Sequence, residues 1–411
     1  MPLTFTPWKN KVEKGSTVRA PLAAPAKLPV LPPDWSQSDS SSDSEATIDQ
    51  QLGALGYPTA EVAAAIQHPR AALQFKGGET AARERLQGWM FDRGCLASYF
   101  ETRNGMLGAD YSTKFAPWLA LGCLSPRTVA SEIQRFESMP GGVANKSTYW
   151  VVFELLWRDF FKFVALKEGS KLFGVGGGPV PTGQIWRDPK RDREAARAFE
   201  AWKAGMTGHP LVDANMRELM LTGFMSNRGR QNVASFLVHD LAIDWRAGAD
   251  WFESCLLDYD TSSNWGNWCA AAALMGGRVN RFNIVKQSRD YDPEGAYLKT
   301  WLPELANVPA PQIFEPWKLS SAMLEAAKLE IDHSQGPVRA PSVFEPGGET
   351  SGGKAVYPAP LPTSGYAFDG GKSGGGKGGG GKSGKKGKKE PQGGGGRGYR
   401  VPSSMQGGGG I

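Results

Sequence analysis

Residues 225–268 constrain the fold more than any other part of the chain. The stretch opens Met-Ser-Asn-Arg-Gly-Arg-Gln and closes Leu-Leu-Asp-Tyr-Asp-Thr-Ser-Ser-Asn-Trp-Gly-Asn-Trp. Between them runs a helical pattern, Asn232 to Ile243, ending in Asp244-Trp245. Arg228, Arg230, Asp258, Asp260 and Asn264 therefore share a short span with Trp245, Trp265 and Trp268. Charges buried among indoles are unstable unless they are paired and hydrogen-bonded. A large polar, redox-active cofactor held between helices would account for such a mixture.

From Thr47 to about Lys328 apolar residues recur at three and four positions, with Gly or Pro between the runs, and no series of alternating strands interrupts them. This predicts a mainly α, all-helical domain over 47–328. Ser147-Thr148 can cap a helix over Trp150 to Leu166, and Asn227 to Ile243 reads as one long helix with polar ends. Residues 1–46 read as a linker: a Pro-, Lys- and Ala-rich extended strap to residue 35, then an acidic Ser-rich run. That run suits a solvated linker or a phosphorylation site. Residues 336–411 are Pro- and Gly-rich, with 23 glycines from 351 onward, too few apolar side chains to offset chain entropy, and are expected to be a disordered tail.

The formal net charge is +6, but residues 351–411 alone hold ten Lys/Arg against Asp369 and Glu390. The body is thus slightly acidic, and the basic balance describes the tail. Gly/Lys repeats of this kind suit loose contact with DNA or RNA, or simply keep a chain soluble. Cys95, Cys123, Cys255 and Cys269 lack C-x-x-C spacing and read as reduced thiols of an intracellular protein, and no metal site is expected. No apolar run approaches the length of a membrane span. A monomer is expected.

The motifs resemble the flavin-binding half of the photolyase/cryptochrome family, in its DASH branch. The similarity runs from Gly77 to Trp317. It includes T-R-N-G-M-L-G-A-D-Y-S-T-K-F-A-P-W, Y-W-V-V-F-E-L-L-W-R-D-F-F, T-G-H-P-L-V-D-A-N-M-R-E-L and F-N-I-V-K-Q. The resemblance implies a photolyase-type FAD-binding domain without the family's N-terminal Rossmann-like α/β domain. That domain carries the antenna, typically the folate methenyltetrahydrofolate. The opening M-P-L-T-F-T-P-W-K-N-K-V-E-K resembles the linker between the two, so a chain read from an internal start is expected. Chloroplast, mitochondrion and nucleus all remain open as compartments.

For the cofactor, Ser112, Thr113 and Lys114 offer hydroxyls, a cation and backbone N–H groups for the pyrophosphate, although the same triplet also caps helices. The resemblance pairs Arg230 with Asp258 near the flavin ring, places Asp260 toward the ribose, and adds Asn227, Arg228 and Arg158 to the pocket. Asn264 falls opposite flavin N5, where an amide can bond the ring in either protonation state.

Trp268 and Trp245 match the proximal and middle members of the family's electron chain. Trp186 is the expected outer member and Trp202 the alternative; core packing is the ordinary role of a lone Trp. Glu154, Trp157, Gln231 and Asn227 match residues that receive a flipped pyrimidine dimer, and Glu154 could equally pair with Arg158 at i+4. His68, His209, His239 and His333 do not fall on the histidine pair of (6-4) photolyases. Ala270 departs from the family, which has an aromatic there; its stacking is worth about 1–3 kcal/mol per base. Trp265 could substitute.

Three readings follow. The first is blue-light repair of cyclobutane pyrimidine dimers in single-stranded or looped DNA. The second is a photoreceptor that signals by flavin photoreduction. The third is a nucleic-acid binder acting through the tail.

Overall fold

The computed structural model describes residues 1–23, 25–27, 29–30, 48–57, 68–180, 182–276, 281–334 and 353–363. Residues 36–47 of the acidic Ser-rich run, and residues 336–352 and 364–411 of the expected tail, lie outside them.

The main helices are α1 (Phe5–Gly15), α2 (Glu79–Gln87), α3 (Pro126–Ser138), α4 (Lys146–Glu168) and α5 (Arg193–Ala204). They continue as α6 (Pro210–Thr222), α7 (Asn227–Ser235), α8 (Trp245–Cys255), α9 (Thr261–Ala271) and α10 (Ile284–Tyr291). The helical class expected from the periodicity holds.

α4, at 23 residues, is the central beam. Its cap is Asn145, whose side chain accepts from the Ser147 and Thr148 amides at 2.8 and 3.1 Å. Thr148 Oγ1 accepts in return from the Asn145 amide. The cap thus starts two residues before the expected Ser147, because Asn145 and Thr148 have the spacing of a reciprocal capping box.

α9 lies across α4, and α8 across α9. Two glycines allow these approaches. A Cβ on Gly266 would come within 2.3 Å of the Phe161 ring, and one on Gly248 within 2.2 Å of the Trp268 ring. α7 continues past Ser235 into a wider turn, Phe236–Asp240, which matches the long apolar run in the sequence. An isolated parallel bridge joins Arg187 to Ile243 just before α8.

Two expectations need correction. Residues 5–15 are helical, not extended. Phe5, Trp8 and Val12 recur on one face and pack on the core, with Phe5 and Trp8 buried. Pro7 sits in the first turn, where the amide has no helical acceptor anyway.

The ordered body also reaches into the stretch expected to be tail. Leu329–Asp332 (β1) pairs in parallel with Ala355–Pro358 (β2), Leu329 opposite Ala355. Buried Tyr357 donates its hydroxyl to Asp213 Oδ2 at 2.6 Å, while the Thr207 amide and hydroxyl donate to Asp213 Oδ1. The Leu361 amide then donates to the Thr207 carbonyl. One tyrosine and a carboxylate on α6 supply a local anchor that composition averages away.

Candidate functional site

The Ser112-Thr113-Lys114 loop is shaped from behind by Arg85 on α2. Arg85 donates to the carbonyls of Ala109, Ser112 and Thr113 and pairs with Asp110 at 2.8 Å. One guanidinium thus holds four residues of the stretch 109–113, as its fork of donors allows. Lys114 follows at φ +52°, a left-handed conformation. Its side chain is buried, with Nζ 3.3 Å from the Tyr111 ring centroid and 3.5 Å from Ser112 Oγ. Burial lowers its amine to about 7.

Arg230 and Asp258 meet as expected, at 2.8 Å. The Arg230 Nε donates to the Met225 carbonyl, so the guanidinium is held from both sides. Phe224 joins the two halves of the site: Lys114 Nζ and Arg230 Cζ lie 5.7 and 5.8 Å from its ring centroid.

Between these cations lies Glu218 of α6, buried and accepting from the Tyr297 hydroxyl at 2.7 Å. Burial pushes its carboxyl up to about 8, against the pull of Tyr297, Lys114 and Arg230. Arg85, Tyr99, Glu218 and Tyr297 were not expected from sequence. Arg85 reads as a surface residue of a charged helix, and Glu218 sits on a helix buried almost all round, with no polar stripe to mark it.

Asn264 is buried at the start of α9 and donates Nδ2 to the Ala249 carbonyl of α8 at 3.0 Å. Asp260 caps α9, accepting from the Ser263 amide at 2.8 Å. Arg228 donates to Asn104 at 2.9 Å and lies over Tyr291. Asn227 is exposed and Gln231 half-buried on the same helix. Arg158 forms its ion pair with Asp159, at 3.8 Å. The i,i+4 alternative for Glu154 is not what the structure shows. Glu154 accepts instead from Tyr99 at 2.6 Å, and burial pushes its carboxyl to about 7. Trp157, one turn on, stacks on Phe5 with centroids 3.7 Å apart and planes at 10°. Ala270 is half-buried against the core.

Trp268 packs over Gly248, one turn from Trp245 on α8. Trp245 is fully buried, donates to the Val175 carbonyl, and meets Trp265 edge-to-face at 5.7 Å. Trp202, also fully buried, contacts Trp268 at 6.2 Å. Trp186 is half-buried next to Arg187, whose backbone bonds the segment leading into α8. Of the two outer candidates, Trp186 alone reaches toward solvent.

Several buried polar atoms have no partner among the described residues: Asp258 Oδ1, Arg228 Nε, Tyr111 Oη and Asn232 Oδ1. Buried polar groups are normally hydrogen-bonded, so this concentration beside a buried lysine and an ion pair fits a polar ligand carrying anionic and hydrogen-bonding groups. FAD has both.

The comparisons agree. The profile described as the FAD binding domain of DNA photolyase matches residues 150–336. The chain carries the FAD-binding domain of the photolyase/cryptochrome family. Within that family it belongs with the DASH branch. It is 53% identical over 328 residues to the chloroplastic/mitochondrial cryptochrome DASH of Ostreococcus tauri, covering 77% of this chain and 56% of that one. The cryptochrome DASH of Gloeobacter violaceus is 50% identical over 348 residues, covering 82% and 63%. The solved structure of the Synechocystis cryptochrome superposes with a TM-score of 0.67 at 46% identity, covering 82% of this chain and 65% of that one. The chain thus spans a little over half the length of these relatives. Among the described residues no helix is long and apolar enough to cross a membrane.

Proposed function

We propose that this chain is the flavin unit of a DASH-type photolyase, repairing cyclobutane pyrimidine dimers in single-stranded or looped DNA under blue light. The observation that carries the reading is Glu154. Its carboxyl titrates near 7 on the same helix as Trp157, so around neutrality it can hold a proton and donate it to a base carbonyl. Tyr99 occupies Oε2, which leaves the other oxygen for a substrate.

Bound FAD would supply light-driven one-electron chemistry. In this reading Lys114, Ser112 and Thr113 receive its phosphates, and Arg230 with Asp258 orients its ring. Asp260 and Arg228 complete the enclosure, with Arg158 and Asn227 at its rim. Because Asn264 commits Nδ2 to Ala249, its oxygen is the atom left to accept from a ring N–H, which suits a reduced flavin. Trp268, Trp245 and Trp186 conduct electrons inward. Trp157 and Gln231 line the substrate side.

A folate-type antenna would belong to an α/β domain outside this sequence. A chloroplast or mitochondrial location follows the relatives described that way, that of Ostreococcus tauri among them. A monomer is sufficient for this chemistry. Ala270 favours the second reading, a blue-light receptor that does not repair.

The test is purified protein with reduced flavin, blue light and a dimer-containing single-stranded oligonucleotide. Light-dependent loss of dimers supports repair, and its abolition by Glu154→Ala ties repair to the carboxyl. Photoreducible flavin without repair would refute the enzyme reading in favour of the receptor.

A further inference from the structure

Trp265 is a tryptophan that neither the pocket nor the electron path above uses. It is 7% exposed and meets fully buried Trp245 edge-to-face, with centroids 5.7 Å apart and planes at 79°. Its far side reaches the surface. A pocket of about 530 Å³ is lined by Phe173, Asp250, Glu253, Ser254, Tyr259 and Trp265, among others. Phe173 packs against its ring at 4.9 Å. Most tellingly, the indole Nε1 donates to Glu253 Oε2 at 3.0 Å. Glu253 is exposed to solvent.

We infer that Trp265 is a second exit for the oxidising equivalent that reaches Trp245, with Glu253 as its proton acceptor. The inference rests on the flavin reading above, in which the primary oxidant is light-excited oxidised flavin.

The geometry suits the chemistry at each link. Two rings in van der Waals contact exchange an electron over the shortest distance a protein offers. An indole radical cation is a far stronger acid than indole, and a carboxylate already hydrogen-bonded to Nε1 can take the proton without rearrangement. The step balances simply. Trp265 gives one electron to oxidised Trp245, whose indole is restored. The Nε1–H bond breaks, its proton passes to Glu253, and a neutral tryptophanyl radical remains. A small one-electron donor of the thiol or ascorbate class, admitted by the pocket, then returns the electron while Glu253 returns the proton.

Loss of the proton traps the hole on Trp265, because return to Trp245 would require the proton back first. By contrast, the Trp186 Nε1 is buried without a partner among the described residues, so that branch has no such trap. The two exits differ in chemistry as well as in place.

Flash photolysis of the flavin-loaded protein tests this, with Trp186→Phe as background. In Trp186→Phe, photoreduction should persist and a neutral tryptophanyl radical should appear. Adding Trp265→Phe should abolish both. Glu253→Gln should shift the transient spectrum from the neutral radical to the radical cation and shorten its lifetime. Peptide mapping after illumination in air gives an independent readout: oxidised Trp265 should be found, and should fall in Glu253→Gln. Flavin content and circular dichroism show whether each variant folds, and Trp265→Tyr, which keeps an aromatic ring, serves if the Phe variant does not. Photoreduction lost on Trp186→Phe alone, or unchanged by adding Trp265→Phe, would overturn the second exit while leaving the flavin reading intact. A parent chain that binds FAD without photoreducing it would overturn both.

Discussion

Asp258→Ala removes the carboxylate that holds Arg230. The Asp258 side chain is 3% exposed and that of Arg230 25%, and they meet at 2.8 Å. Arg230 stays in place when its partner goes, because its Nε is fixed to the Met225 carbonyl at 3.0 Å. It is then left without a counter-charge. Removing one partner of a fully buried pair costs about 3–5 kcal/mol. A quarter of the guanidinium surface remains in water, so about 2–3 kcal/mol is the expected loss of stability. The second effect falls on the cofactor. Asp258 Oδ1 is buried without a protein partner, and a hydrogen bond to a charged group contributes about 1.5–3 kcal/mol. Its loss should weaken FAD binding by about 10- to 150-fold. Flavin absorbance per mole of purified protein and a fluorescence titration of apoprotein with FAD measure this directly. Asp258→Asn, which keeps the volume and one acceptor but not the charge, should fall between the two. An unchanged Kd in both variants would refute the assignment of this pair to the flavin.

Three further outcomes are expected. Glu154 is held above its ordinary value of 4.5, at about 7, so the folded state favours the protonated acid. Relative to Glu154→Gln, the parent should lose stability as pH rises from 4.5 to about 7 and then level off, which melting curves across that window will show. Lys114 is lowered to about 7, so above that pH a bound phosphate should draw a proton onto it. Flavin affinity should then fall as pH rises through 7, and calorimetry in two buffers should detect proton uptake that Lys114→Met abolishes. Gly248→Ala places a Cβ 2.2 Å from Trp268 and 2.6 Å from Leu237. It should cost about 1–3 kcal/mol in a thermal melt and slow photoreduction by displacing the ring.

The helical class was legible because apolar periodicity reports which faces are buried. The Arg230–Asp258 pair, 28 residues apart, came from motif resemblance, as did the Trp245 and Trp268 positions, and the structure adds their surroundings. What escaped was set by tertiary contact. Phe5-Thr-Pro-Trp lies in a stretch that reads as extended from its Pro, Lys and Ala content, yet the apolar face of α1 finds Trp157 and Phe160 on α4. Glu154 was weighed against Arg158, its sequence neighbour, whereas its partner Tyr99 lies 55 residues away. Arg85 shapes a loop some 25 residues downstream through backbone carbonyls, which no sequence pattern records. Asp260 and Asn264 already make the bonds of a helix cap and a helix-to-helix brace, so sequence position alone does not divide structural duty from cofactor duty.

The pairing of β1 with β2 decides how this protein can be trimmed or fused. A version ending near residue 334 would strip the Tyr357 hydroxyl from Asp213 and leave a bare strand edge on β1. Such a version should be prone to sticking to itself, even though every helix around the flavin is present. Adding a partner after residue 363 leaves the anchor whole. The same anchor gives the Lys/Arg-rich end of the chain a defined point of departure, beside Thr207 on the approach to α6.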